Sequence, residues 1–299
     1  MLESNKKTDR SPKLLLVAII GFVVLGALSG ALLVGELGRL LGIHDLEALI
    51  RDMQEGNYIE YLNVLQVLLL LGSLASFLLP SLFFVYFFYR RRQRKYLLAT
   101  TTSSWTNYII TAIAIVVFSP FFFSIAQWNQ ELVNAESSNQ AIAEVLVRMQ
   151  TPLDFALNLI LVGLVAAVGE ELLFRGILQR LFSQVTQNIH TGILITGSVF
   201  SIIHDLNGFF PRLMMGIAFG YLLYWTGSIW VTIFAHAFFN SAQVVMQYFL
   251  EEVVTEADTT LPMPWVITSA VLTGIIAYLI WYVNKSSENK LNPETYLNP

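Results

Sequence analysis

The sequence predicts an all-α fold, a polytopic transmembrane bundle of about eight helices with an active site inside its C-terminal half. Three observations predict it. Of the 299 residues, 55% are hydrophobic and 13% charged, with a mean hydropathy of +0.61, too few charges to clothe a water-soluble surface of this size. Apolar runs recur along the chain, most of them near the roughly 20 helical residues that cross a hydrocarbon core of about 30 Å. Glutamate, histidine and asparagine, which are costly in lipid, gather inside the later runs.

The first run covers 14 to 36 and follows MLESNKKTDRSPK. It is too long for the apolar region of a signal peptide and shows no small-residue cleavage site, so it reads as a retained helix. Further runs cover 62 to 89, 106 to 126, 153 to 178, 189 to 205, 211 to 226, 229 to 248 and 264 to 283. The fifth and sixth fall short of a full crossing. One membrane domain over 1–299 is therefore expected, with tails at 1–13 and 285–299 and a motif-bearing core at 153–248. Two connecting stretches, LGRLLGIHDLEALIRDM and NQAIAEVLVRM, have apolar residues at helical spacing and read as interfacial helices without chemistry.

Charge alternates along the connections. Lys6, Lys7, Arg10 and Lys13 precede the first run, Arg90, Arg91, Arg92, Arg94 and Lys95 follow the second, and Lys285 and Lys290 lie in the tail. Acidic residues fill the intervening loops at 45–60, 127–152 and 249–263. Under the positive-inside rule both termini are cytoplasmic, as an even number of helices requires, and the expected location is the cell membrane. The basic cluster is a topology signal and no nucleic-acid partner is expected. The chain has no cysteine, which excludes disulfides, thiolate nucleophiles and zinc-thiolate sites and leaves oxygen and nitrogen side chains for any chemistry.

The densest intramembrane polar group is GEELLFRGILQR, with Glu170, Glu171 and Arg175. Helical neighbours differ by about 100°, so the two glutamates face different ways, while Glu171 and Arg175, four apart, share a face and can pair. Glu170 is then free to point into a cavity as a general base. A helix end with surface ion pairs is the plainer reading. In SVFSIIHDL, Phe200 and His204 lie four apart on an otherwise apolar helix, and in TIFAHAFFNSAQ, His236 and Asn240 share one face in the same way. Each alone more often stitches helices together. Jointly they supply what amide hydrolysis needs: a carboxylate to take a proton from water, imidazoles to position it, and an amide donor for an oxyanion. His44 and His190 have no partner pattern and read as surface residues.

The ordered set Glu170-Glu171-x-x-x-Arg175, Phe200-x-x-x-His204 and His236-x-x-x-Asn240 resembles the CAAX-prenyl-protease and bacteriocin-processing family, also called CPBP or Abi proteins. The resemblance covers about 75 residues of this chain, from Gly169 to Asn240, and leaves the first three helices without a signature. It implies an all-helical intramembrane endopeptidase whose eukaryotic relatives remove the last three residues of prenylated C-a-a-X proteins. Carried over, Glu170 would activate water with His204 assisting, and His236 and Asn240 would stabilise the oxyanion. Glu171, Arg175 and Phe200 would support them from behind.

The cofactor implied is none or zinc. Glu170, His204 and His236 would be the ligands in a metal-dependent scheme, since two histidines and a carboxylate with an open position form a catalytic zinc set. Water activation without metal is the scheme preferred here. The expected partners are the bilayer and a peptide or protein substrate, lipidated chains among the candidates. The alternative function is a non-proteolytic membrane protein of the same fold, an immunity, scaffold or transport factor. Transport would predict paired halves with matching interrupted helices, and the sequence has no such symmetry.

Depth supplies a check on the site. If the fourth helix stops near Arg180, Glu170 and His236 lie roughly 15 and 10 Å from their helix ends, but His204 lies roughly 22 Å deep. The mismatch closes if that helix runs on to about Thr186, the preferred solution, or if Gly208 and Pro211 mark a non-helical linker.

Overall fold

The computed structural model describes residues 11–43, 45, 48, 62–89, 103–133, 149, 151–204, 206–256, 261–286 and 297, the side chains of 62 and 250–256 excepted. Among the described residues, seven helices are long and apolar enough to cross a membrane and an eighth is short. In order they are α1 (Pro12–Leu40), α2 (Asn63–Phe88), α3 (Trp105–Val133), α4 (Pro152–Thr186), α5 (Ile189–Ile202), α6 (Phe209–Thr226), α7 (Ile229–Glu256) and α8 (Met263–Asn284). The fold is all-α as expected, with α5 the exception in length: its 14 residues span only about 21 Å. The first interfacial stretch begins as the last turn of α1, and its residues His44, 46, 47 and 49–53, all of the second except Met149, and the Arg90–Lys95 cluster lie outside the described residues.

Pro12 opens α1 at a position where its missing N–H costs nothing. One face of α1 sends Leu15 and Ile19 against Phe84 of α2 and Leu173, Ile177 and Leu181 of α4. Leu14, Val17, Leu25, Leu28 and Leu32 point outward, the lipid-facing surface of a bundle that has no water to avoid. In α2 the turn Leu74–Leu78 widens to a π-helix just before Pro80, whose ring clashes with the carbonyl four residues back.

In α3, Pro120 breaks the same ladder, and α8 repairs it. The Ser269 hydroxyl donates to the carbonyl of Val117 and accepts from the amide of Phe121 at 3.2 Å. Asn107 and Asn284 exchange paired amide hydrogen bonds of 3.0 and 2.9 Å. The start of α3 and the end of α8 are therefore on one side of the bundle.

Thr151 and Asp154 form a reciprocal capping box at the start of α4, which satisfies two otherwise orphaned amides. The helix is α-helical over Ala167–Glu171 but π-helical on both flanks, at Leu159–Ala166 and Leu172–Leu178. It does run on to Thr186 and ends on Gln187 in the left-handed region. Asn188 then caps α5 by accepting from the amide of Thr191 at 3.1 Å.

A 3-10 turn at Leu206–Gly208 joins α5 to α6. There α6 crosses α5 closely, because a side chain on Gly216 would meet the Cα of Gly197 at 2.8 Å. Gly227, with φ +65°, closes α6, and the connection from Thr226 to Ile229 is buried.

Two apolar cores flank the functional residues. One joins α1, α2, α4 and α5 around Leu173, Phe174 and Phe200. The other joins α3, α6, α7 and α8 around Phe219, Val231, Ala235 and Phe239.

Candidate active site

The site forms where the short α-helical segment of α4 meets α7 and the turn that follows α5. Glu170 and Glu171 are both buried and diverge as adjacent helical positions must. The Oε2 atom of Glu170 faces two imidazoles, 3.7 Å from Nε2 of His204 and 3.8 Å from Nε2 of His236. Both separations exceed a direct hydrogen bond, and each leaves room for one water set off the line to touch both atoms.

Each imidazole is fixed through its other nitrogen. His204 Nδ1 lies 2.7 Å from the carbonyl oxygen of Phe200. A carbonyl can only accept, so Nδ1 carries the proton and a neutral His204 presents the lone pair of Nε2 to Glu170. His236 Nδ1 lies 2.8 Å from Oε1 of Glu171, so it too carries its proton on Nδ1. His236 can donate from Nε2 only as an imidazolium, for which the Glu171 carboxylate is the counter-charge.

Glu171 is also 3.1 Å from Arg175, the pair expected four residues apart. The pair does more than hold its own helix, because through Oε1 of Glu171 it reaches across to α7. Arg175 donates to the carbonyl of Gly216 at 3.1 Å, and its guanidinium lies 5.2 Å from the ring centroid of Phe200 and 5.5 Å from that of Phe219. Phe200 packs on His204 at 4.6 Å and on His236 at 6.0 Å. A charge buried this completely is compensated by a carboxylate, a carbonyl and two aromatic faces.

Asn240 lies one turn beyond His236 on α7 and donates to the carbonyl of Val162 at 3.0 Å. Val162 belongs to the π-helical stretch Leu159–Ala166. One amide hydrogen of Asn240 is thereby engaged and the second is left for another acceptor.

His204 departs from the sequence reading in one respect. The helix of Phe200 ends at Ile202, and His204 stands in the turn just beyond it. Its side chain is 27% exposed against 10% for Glu170 and 4% for His236, so the site opens towards the outside at His204. That turn is tied down by residues the sequence reading passed over. Arg212 donates to the His204 carbonyl at 3.1 Å, Ser201 donates to the carbonyl of Phe209, and Asn129 of α3 bonds Leu206 and Phe210. Gly216 and Phe219 were passed over as well. None of these has a spacing that marks it.

His190 is exposed, as expected, though its Nδ1 is 2.9 Å from the Tyr221 hydroxyl.

The point at which α4 ends also resolves the depth question. With the helix ending at Thr186, Glu170 lies about 24 Å from its end, in step with His204 at about 22 Å. His236, seven residues into α7, then becomes the shallow member. The buried connection Thr226–Ile229 accounts for it, because α7 starts already sunk in the bundle.

An apolar cavity of about 360 Å³ lies between α3, α6, α7 and α8, with Phe118, Met215, Ala218, Phe219, Ala235 and Phe239 in its wall. Phe219 also stacks on His236 at 5.4 Å. One ring therefore separates the cavity from the imidazole.

The donor types would suit zinc, but tetrahedral ligands about 2.05 Å from a metal stand roughly 3.4 Å apart. The pairs here are wider, and among the described residues no group of three His, Asp or Glu side chains is close enough to hold an ion. As placed, the residues do not fit a metal.

A membrane-embedded helical bundle with a glutamate and two histidines converging between its helices defines the class. Residues 152–242 match the family described as type II CAAX prenyl endopeptidase Rce1-like. The Bacillus subtilis (strain 168) protein named "Putative membrane peptidase YdiL" is 34% identical over 117 residues, which are 38% of this chain and 45% of that protein. The chain thus matches less than half the length of that relative. No solved structure matches. Over this motif-bearing region the chain is similar to the CAAX-prenyl-protease and bacteriocin-processing family, the family its motifs resemble.

Proposed function

We propose that the protein is an intramembrane endopeptidase in which Glu170 activates water for attack on a peptide carbonyl. The observation that carries the reading is the convergence of the His204 and His236 Nε2 atoms on one oxygen of Glu170. Glu170 takes a proton from a water that the Nε2 lone pair of His204 orients. The resulting hydroxide adds to the carbonyl carbon and forms a tetrahedral oxyanion. His236, as an imidazolium held by Glu171, and the free amide hydrogen of Asn240 donate to that oxyanion. Glu170 then returns its proton to the departing nitrogen, the C–N bond breaks, and a carboxylic acid and an amine form, which leave as carboxylate and ammonium after the acid proton passes to the amine.

The mechanism uses only this chain's residues, which is the metal-free scheme. Its support is the spacing of the three donors. The substrate is a peptide or protein that reaches the site within the bilayer, and one that carries an apolar chain has a place for it in the cavity behind Phe219. The protein is proposed to reside in the cell membrane with both termini cytoplasmic, as the basic clusters beside α1, α2 and α8 favour.

The test is cleavage of prenylated and unmodified peptides by the full chain reconstituted in liposomes. Glu170→Ala is expected to abolish cleavage. Equal cleavage by wild type and Glu170→Ala would sink the reading, and a wild type inert towards every peptide would favour a non-proteolytic role.

A further inference from the structure

We propose that Asn129, on α3 and outside the family-matched residues 152–242, is a positioning residue that sets His204 against Glu170. The proposal rests on the peptidase reading. His204 is the one member of the site that no helix holds, since α5 ends at Ile202. Its orientation depends on the turn that carries it, and a misplacement of about 1 Å can cost a factor of about 10² in rate.

Asn129 is fully buried and grips that turn at both ends. Its amide nitrogen donates to the carbonyl of Leu206 at 2.9 Å, and its amide oxygen accepts from the backbone N–H of Phe210 at 3.0 Å. Leu206 is two residues past His204, and Phe210 is in the first turn of α6, where backbone amides have no partner within the helix. One side chain thus pairs with a backbone acceptor and a backbone donor of the same turn.

The other ties on the turn come from the elements it joins. Ser201 belongs to α5 and Arg212 to α6, and both move when those helices move. Asn129 comes from a third helix, one braced against α8 by the Asn107–Asn284 and Ser269 bonds. Trp128 beside it packs on Phe210 with ring centroids 5.0 Å apart. The α3 helix is thus a post to which the non-helical corner of the site is fastened, and this gives the part of the chain before residue 152 a role in the chemistry.

The experiment compares wild type, Asn129→Leu, which removes both bonds at similar size, and Asn129→Asp, which keeps the acceptor for Phe210 and loses the donor to Leu206. Peptide cleavage by the reconstituted full chain gives kcat and KM. A spin label at Leu206→Cys gives the mobility of the turn, Leu206 being 61% exposed and the chain free of other cysteines. Asn129→Leu is expected to lower kcat about 10- to 100-fold with KM nearly unchanged, and to loosen the label; Asn129→Asp falls between. In a His204→Ala background the substitution is expected to cost nothing further, since it acts through His204.

An unchanged kcat, an unchanged label spectrum, or an equal loss without His204 overturns the proposal. If Asn129→Leu does not accumulate, Asn129→Asp carries the same comparison. A wild type that cleaves nothing refutes the peptidase reading instead, and the label then decides alone whether Asn129 holds the turn.

Discussion

Replacing Glu171 by glutamine removes one charge and almost no volume from the most enclosed part of the molecule. Glu171 and Arg175 are 0% and 1% exposed, and breaking a buried pair by neutralising one partner costs about 3–5 kcal/mol, because the other charge stays behind. The faces of Phe200 and Phe219 and the Gly216 carbonyl remain for Arg175 and offset a part of this, about 2 kcal/mol at most for the aromatic contacts. At about 2 °C per kcal/mol for a chain of this size, a fall in Tm of several degrees is expected, read from a thermal-shift assay in detergent. Catalysis should suffer separately. The glutamine carbonyl still accepts from Nδ1 of His236, but the counter-charge for an imidazolium is gone, and losing one oxyanion donor costs about 10²–10³ in kcat.

The double variant Glu171→Gln with Arg175→Met separates the two effects. With both charges removed the core should regain most of its stability, since buried pairs are often replaceable by apolar residues at no net cost. The lost kcat should not return. If activity recovers together with Tm, Glu171 serves only as the partner of Arg175 and its proposed action on His236 is wrong. If the single variant changes neither Tm nor kcat, the buried-charge argument itself fails.

Asn240→Ala is expected to lower kcat by about 10²–10³ with KM little changed if its second amide hydrogen meets the oxyanion; a rise in KM at constant kcat would instead assign it to substrate binding. Elemental analysis of the purified protein should find zinc far below one per chain, and a chelator should leave cleavage intact. Stoichiometric zinc that disappears in His204→Ala would reverse the metal-free reading.

Most of the fold could be read from the sequence because lipid makes the rule simple: a segment that crosses must be long, apolar and hydrogen-bonded within itself. The start of every helix from α1 to α8 falls within two residues of its apolar run. The ends were harder. Hydropathy stops at Leu178, yet α4 runs eight residues further through Gln179, Arg180, Ser183 and Gln184, all buried, because a polar stretch inside a protein can be satisfied by neighbours that no hydropathy scale knows of. Ser183 bonds the carbonyl of Gln179, and Gln179 donates to the carbonyl of Gly220. The α3 run likewise stops at 126 while the helix continues to Val133, and Asn129 was hidden in that extension.

The site was legible to a similar degree and for a similar reason. Spacing of four residues predicted the Glu171–Arg175 contact and placed His236 and Asn240 on one face, since those relations are local to a helix. It had nothing to say about Glu171 reaching Nδ1 of His236 on another helix, or about Asn129 reaching the turn beyond His204. These are contacts between elements, fixed by how α3, α4 and α7 are set against each other.

The depths of the three converging residues tie these observations to one another. Glu170 and His204 meet only because α4 extends to Thr186, an extension in which the buried Gln179 donates to the Gly220 carbonyl of α6 and Ser183 bonds back to Gln179. His236 meets them only because the α6–α7 connection is sunk into the bundle, which requires the left-handed Gly227 and the small buried residues Thr226 and Ser228. Neither feature touches the reacting atoms. On the proposed reading of Glu170 as the water-activating group, its depth is set by the lengths and the terminations of the helices as much as by the residues in the motifs.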